Sequence, residues 1–206
     1  MTDSDCRAWI ARAKALAWFS IVYNLLEALA CAWFGAGDRS LSLLGFGADS
    51  LVEFASAGVV LWRFRGELAG QGSGSHAEHR AHRAIGALLL ALTALLVLGA
   101  AAEWRAGRGP ESGTAGMVIS VVSLLCMAGL FAFKRRAALV LESPVLKADA
   151  FCTLSCMWLG GLLLLGSVLV AATRRPLADA LTSLAMAGLI AREGWENWTE
   201  SACDCD

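Results

Sequence analysis

Residues 41–62 read Leu-Ser-Leu-Leu-Gly-Phe-Gly-Ala-Asp-Ser-Leu-Val-Glu-Phe-Ala-Ser-Ala-Gly-Val-Val-Leu-Trp. The run has the length at which a helix crosses a hydrocarbon core, about 20 residues. Its middle nevertheless carries two carboxylates, Asp49 and Glu53. Four residues apart, they share one helix face. A charge at that depth costs about 3 kcal/mol on insertion scales, so an intramembrane acid is read as functional by default. The stretch therefore predicts a spanning helix with a built-in polar site.

Working outward, similar apolar segments fall at 15–36, 84–104, 115–133, 145–171 and 177–192. Turn-forming residues separate them, as at Gly35-Ala36-Gly37-Asp38 and Arg174-Arg175-Pro176. The expectation is an all-α integral membrane protein with six transmembrane helices, forming one domain over 1–206. Two pieces lie outside the spans, a His-containing loop at about 67–83 and a short Cys-containing tail at 199–206. Composition agrees: the 206 residues are 57% hydrophobic and 17% charged, against roughly 45–50% and 25% in soluble domains. Mean hydropathy is +0.60. A net charge of -1 offers no basic field for a nucleic-acid backbone, which excludes that partner.

Seven cysteines are an odd number, and Cys31, Cys126, Cys152 and Cys156 lie inside apolar runs, unlike a secreted disulfide framework. Arg7, Arg12 and Lys14 precede the first apolar run as in a signal peptide, but that run carries Asn24 and Glu27 and continues to Phe34, so it reads as a retained span. Arg7, Arg12, Lys14, Arg63, Arg65, Arg80, Arg83, Lys134, Arg135, Arg136 and Arg192 flank the spans on one side. They outnumber Arg39, Arg105, Arg108, Arg174 and Arg175 on the other. By the positive-inside rule both termini are cytoplasmic.

The fifth span contains Lys147-Ala148-Asp149-Ala150-Phe151-Cys152-Thr153-Leu154-Ser155-Cys156, in which Cys152 and Cys156 share a face by the same four-residue step. At about 1.5 Å per residue, Asp49 and Glu53 lie about 12 and 18 Å from the outer edge. Counted inward from the other side of a core about 30 Å thick, Cys156 and Cys152 lie roughly 14 and 20 Å from that edge. The two pairs fall at one level and suit a four-ligand metal site. Asn24 and Glu27 reach similar depth, either behind the ligands and along an access path or as a buried polar contact between helices.

At these residues the chain resembles the transmembrane domain of the cation diffusion facilitator (cation efflux) family. That family has six spans and a metal site built from an acidic pair on the second helix and His-x-x-x-Asp on the fifth. Asp49-Ser50-Leu51-Val52-Glu53 is similar to its Asp-x-x-x-Asp pattern, and Ala148 to Cys156 to its Ala-Asp-Ala-x-His-x-x-x-Asp pattern. Glu53, Cys152 and Cys156 replace Asp, His and Asp. Ser143 and Asp179 also look similar, and Asp149 and Asp179 join Asn24 and Glu27 as residues expected behind the ligands or on the ion's path. The chain ends at Cys203-Asp204-Cys205-Asp206, so a transmembrane domain without the family's C-terminal cytoplasmic domain is expected.

The resemblance implies export of a divalent metal from the cytoplasm in exchange for protons, by alternating access. The metal is transported cargo and no cofactor is permanently bound. Partners are the metal ion, protons, the lipid bilayer and, as an expectation, a second copy in a homodimer; the location is a multi-pass protein of the bacterial inner membrane. Thiolate with carboxylate suits zinc or cadmium, whereas magnesium and calcium take all-oxygen shells. Four anionic ligands around an empty site are too costly to keep ionised in lipid, so metal binding releases protons. His76, His79 and His82 form a candidate cytoplasmic capture loop, or a solvated loop beside Arg80 and Arg83. Cys6, Cys203 and Cys205 suit a hand-off site or a frayed tail.

Two other readings stand beside transport: a membrane thiol oxidoreductase using Cys152 and Cys156, and a passive metal-binding protein or channel with the same ligands. Gly160, Gly161 and Gly166 are expected at close helix contacts, and Trp9, Trp33, Trp104, Trp195 and Trp198 at membrane interfaces.

Overall fold

The computed structural model describes residues 3–68, 75–107, 110, 113–173, 175 and 177–203. Among these the chain forms six helices and no strand: α1 (Asp3–Asp38), α2 (Leu41–Leu68), α3 (Ser75–Ala106), α4 (Thr114–Val140), α5 (Pro144–Thr173) and α6 (Leu177–Cys203). Every predicted span lies inside one helix. Five contain apolar stretches long enough to cross a membrane: Ala8–Asp38, Leu41–Trp62, Gly86–Ala106, Thr114–Val140 and Asp149–Thr173. In α6, Asp179 near the start and Arg192, Glu193 and Glu196 near the end leave no equally long uncharged run.

Helix starts are capped where the sequence supplies hydroxyls. Ser40 Oγ accepts the Leu43 N–H at 3.2 Å, and the Ser40 N–H returns to the Gly35 carbonyl at 2.9 Å, so α1 turns into α2 within a few residues. Gly113 opens α4 with φ 69, and a Cβ there would stand 2.6 Å from the Ser167 carbonyl oxygen, so only glycine fits.

The helices alternate in direction. At one end Asp38 accepts the Gly113 N–H at 3.1 Å, joining the end of α1 to the start of α4, and Asp179 of α6 meets the start of α2. At the other end Trp9 of α1 lies beneath the guanidinium of Arg136 of α4, and Trp198 of α6 beneath that of Arg83 of α3. Packing is most extensive between α3 and α6, α1 and α2, and α4 and α5, while α2 also meets α3, α5 and α6. One core joins Cys31, Leu43, Phe46, Leu89, Leu159 and Ile190, and a second, toward the opposite end, joins Ala17, Val60, Ala137 and Leu146.

Burial is inverted relative to a water-soluble globule. Leu26, Leu95, Leu98, Leu125 and Leu165 are 61–73% exposed, whereas Asn24, Glu53, Lys134 and Thr153 are at most 1% exposed. Such a surface suits lipid, and such an interior is tolerated only where polar groups partner one another.

Three expectations change. Within the basic run Lys134-Arg135-Arg136, Lys134 is no interfacial flank, because it points inward at 1% exposure, while Arg135 and Arg136 are exposed. The interhelical loop is shorter than 67–83, since α2 runs to Leu68 and α3 starts at Ser75; the side chains of His76, His79 and His82 lie outside the described residues. The tail is likewise partly helical, as α6 reaches Cys203, while Cys205 and the side chains of Cys6 and Cys203 also lie outside them. Among the fifth-span glycines, Gly166 meets Thr182 of α6 too closely for a Cβ, and Gly160 touches Leu124 and Phe46, but Gly161 faces open space. Trp33, Trp104 and Trp195 are each more than 60% exposed, as interfacial anchors are.

Candidate metal site between α2 and α5

Asp49 and Glu53 stand on the face of α2 turned toward α5, where the helices run in opposite directions. The side chains meet in two rungs. In the rung nearer the start of α2, the Cys156 thiol donates to Asp49 Oδ2 at 2.8 Å, with both residues buried. In the other, Thr153 Oγ1 donates to Glu53 Oε1 at 2.5 Å. The approach of α2 to α1 beside this site depends on Gly47, where a Cβ would come within 2.5 Å of Cys31 Cβ.

Lys134 of α4 enters the second rung. Its Nζ lies 3.2 Å from Glu53 Oε1, 3.1 Å from Asp149 Oδ2 and 2.9 Å from Thr153 Oγ1, which uses all three ammonium donors. Asp149 also accepts from Ser56 at 3.3 Å. Glu53 Oε2 is buried and has no hydrogen-bond partner.

Cys152, the fourth candidate ligand, is partly buried and lies near the Glu193 carboxylate of α6. The four candidates are thus divided, with Asp49 and Cys156 in contact, Glu53 held by Lys134 and Thr153, and Cys152 outside both contacts. Among the described residues no three His, Cys, Asp or Glu side chains converge at metal-ligand spacing in this conformation.

The remaining polar candidates are placed as follows. Glu27 accepts from Tyr23 at 2.8 Å and from Ser50, the neighbour of Asp49 in the chain, at 2.8 Å, so it ties α1 to α2 beside the site. Asn24 donates to the Ser20 carbonyl within α1 at 2.9 Å, and its Oδ1 is buried without a partner. Asp179 accepts the backbone N–H groups of Leu41 and Ser42 at 2.8 and 3.3 Å and the hydroxyls of Ser40 and Ser42. It caps the start of α2, about 12 Å along the helix from Asp49.

Sequence reasoning missed Lys134, Thr153 and Glu193. The first was legible: Met127, Leu130, Lys134 and Ala138 are spaced along one helix face, and that face is buried.

The fold and these buried groups define an all-helical, multi-pass membrane protein with an ionisable site inside its bundle. Residues 75–203 match the cation efflux transmembrane domain, and the chain belongs to that family, whose members carry metal cations across membranes. It is also similar to transmembrane protein 163 of Xenopus laevis, with 29% identity over 145 residues, which cover 68% of this chain and 50% of the relative. The chain thus spans about half the length of that relative.

Proposed function

We propose that this chain exports a divalent transition-metal cation, zinc or cadmium, in exchange for protons by alternating access, with Asp49, Glu53, Cys152 and Cys156 as its ligands. The observation that carries this reading is the buried Cys156 to Asp49 contact at 2.8 Å, a soft and a hard donor brought together from different helices in the middle of the bundle. A thiol bonded to a carboxylate shares a proton with it. A metal that binds both groups displaces that proton, because thiolate is the ligating form. Two further donors lie one helical turn away: Glu53, which has a bare oxygen, from Asp49, and Cys152 from Cys156.

Family membership supports metal transport, and the sulfur donors support a soft ion over magnesium or calcium. The thiol oxidoreductase reading has less support, since Cys152 and Cys156 are free thiols and Cys156 donates to a carboxylate on another helix.

The test is zinc and cadmium flux into proteoliposomes carrying a pH-sensitive dye, comparing the native chain with Asp49→Ala/Cys152→Ala. Metal entry coupled to proton exit only in the native chain supports the exchanger. Metal movement without proton movement favours a channel, and equal transport by the variant refutes the site.

A further inference from the structure

The reading above uses Glu53 as a ligand, yet that carboxylate is already engaged by a cation of the protein's own. Among the described residues Lys134 is the one Lys or Arg that is fully buried. Its ammonium bridges three helices, from α4 to Glu53 on α2 and to Asp149 and Thr153 on α5.

We propose that Lys134 is a tethered counter-cation that occupies Glu53 in place of the transported metal and must be displaced from it when the metal binds.

Three observations carry this inference, which rests on the metal-site reading. First, the engagement of Glu53 is one-sided: Oε1 takes both Lys134 and Thr153, while Oε2 is buried and bare. A buried carboxylate oxygen without a donor carries the desolvation penalty of an unmade bond, and an incoming cation is what relieves it. Second, Asp149 gives the ammonium an alternative seat at 3.1 Å, so Lys134 leaves Glu53 without becoming an unpaired buried charge. Third, the rungs are adjacent. Asp49 and Glu53 are one helical turn apart, as are Thr153 and Cys156, so a divalent ion at Asp49 and Cys156 stands about one turn, roughly 5–6 Å along the helices, from the ammonium. Like charges repel strongly at that range in a low-dielectric interior.

Two consequences follow. Metal affinity is held below what the ligand set alone would give, which favours release. Metal binding also loosens α4 from α2, because the Lys134 to Glu53 bridge is the link that breaks. A ligand shifts a conformational equilibrium only through such differential contacts.

The test is cadmium and zinc titration of the purified full chain in detergent at fixed pH, with helicity and apparent Tm as folding controls. In Lys134→Met/Asp149→Asn one positive and one negative group are removed together, so the net charge of the cluster is kept. The expected result is binding at least about tenfold tighter than native, with Lys134→Arg staying within about threefold. Damage to packing weakens binding and does not tighten it. If the double variant does not fold, Lys134→Gln/Asp149→Asn, which keeps the net charge and retains hydrogen-bond donors, is read in the same way. Unchanged or weaker binding in a folded variant overturns the proposal. Asp49→Ala/Cys156→Ala separates the two readings: if it binds metal as the native chain does, the site itself is wrong, whereas if it abolishes binding while Lys134→Met/Asp149→Asn fails to tighten it, only the role of Lys134 falls.

Discussion

Asp49 on α2 and Cys156 on α5, 107 residues apart in sequence, meet side chain to side chain at 2.8 Å. Sulfur and oxygen donors differ in the metals they favour, so the pair gives separable predictions. Asp49→Asn preserves shape and still accepts from the thiol, but it removes the anionic donor; the fold survives, and zinc and cadmium binding fall together by at least about tenfold. Cys156→Ser exchanges sulfur for oxygen, and the ratio of cadmium to zinc affinity falls by about tenfold, or about 1.4 kcal/mol. Competition titrations with both metals check this. An unchanged ratio would remove Cys156 from the ligand set.

The site also depends on how closely α1 approaches α2. A Cβ at Gly47 would sit 2.5 Å from Cys31 Cβ, a distance that side chains do not tolerate without movement of the backbone. Gly47→Val therefore forces the helices apart, at about 1–3 kcal/mol for overpacking. It lowers the apparent Tm in detergent and shifts Asp49, two residues on. Gly161→Ala, facing open space, is the matched control and leaves the Tm within about a degree. Equal effects of the two substitutions would show that the α1–α2 contact is not the constraint.

Much of this was legible in the sequence because lipid simplifies the reading. Apolar runs of spanning length and their turns gave the six helices, and Asp49 and Glu53 announced themselves by being polar in an apolar run. The depth count placed Asp49 level with Cys156 through helix rise alone. Pairing across helices was less legible, since it depends on rotation about each helix axis, which a depth count does not contain. So Cys152 lies near Glu193 of α6, and Glu53 faces Lys134 of α4. Lys134 escaped for a different reason. A lysine at the end of an apolar run followed by two arginines looks like an interfacial charge, and only the periodicity of the buried α4 face distinguishes it.

Glu27 tests whether a buried acid beside the site serves the metal or the scaffold. Hydroxyls of Tyr23 and Ser50 donate to it, so Glu27→Ala strands two donors at about 1 kcal/mol or more each. The expected outcome is an apparent Tm lower by several degrees with metal affinity within about threefold of native. Glu27→Gln, which keeps an acceptor oxygen, recovers part of the lost stability. A tenfold loss of metal binding in a stably folded Glu27→Gln variant would move Glu27 from the scaffold to the ion's path.

Asp179 makes the opposite kind of claim, a charged residue whose role is structural. Its two oxygens receive the Leu41 and Ser42 N–H groups and the Ser40 and Ser42 hydroxyls, so a side chain from α6 satisfies donors that the first turn of α2 leaves open. The negative charge also sits at the positive end of the α2 dipole. Asp179→Ala leaves those donors unpaired in a buried position, costing about 1–3 kcal/mol per stranded group before relaxation. Asp179→Asn keeps one acceptor oxygen and loses less. Because the cap lies about 12 Å along α2 from Asp49, both variants lower the apparent Tm while metal affinity per folded molecule stays within about threefold. If Asp179→Asn instead keeps the native Tm but slows metal flux in proteoliposomes, the residue belongs to the outer end of the transport path and the cap is incidental.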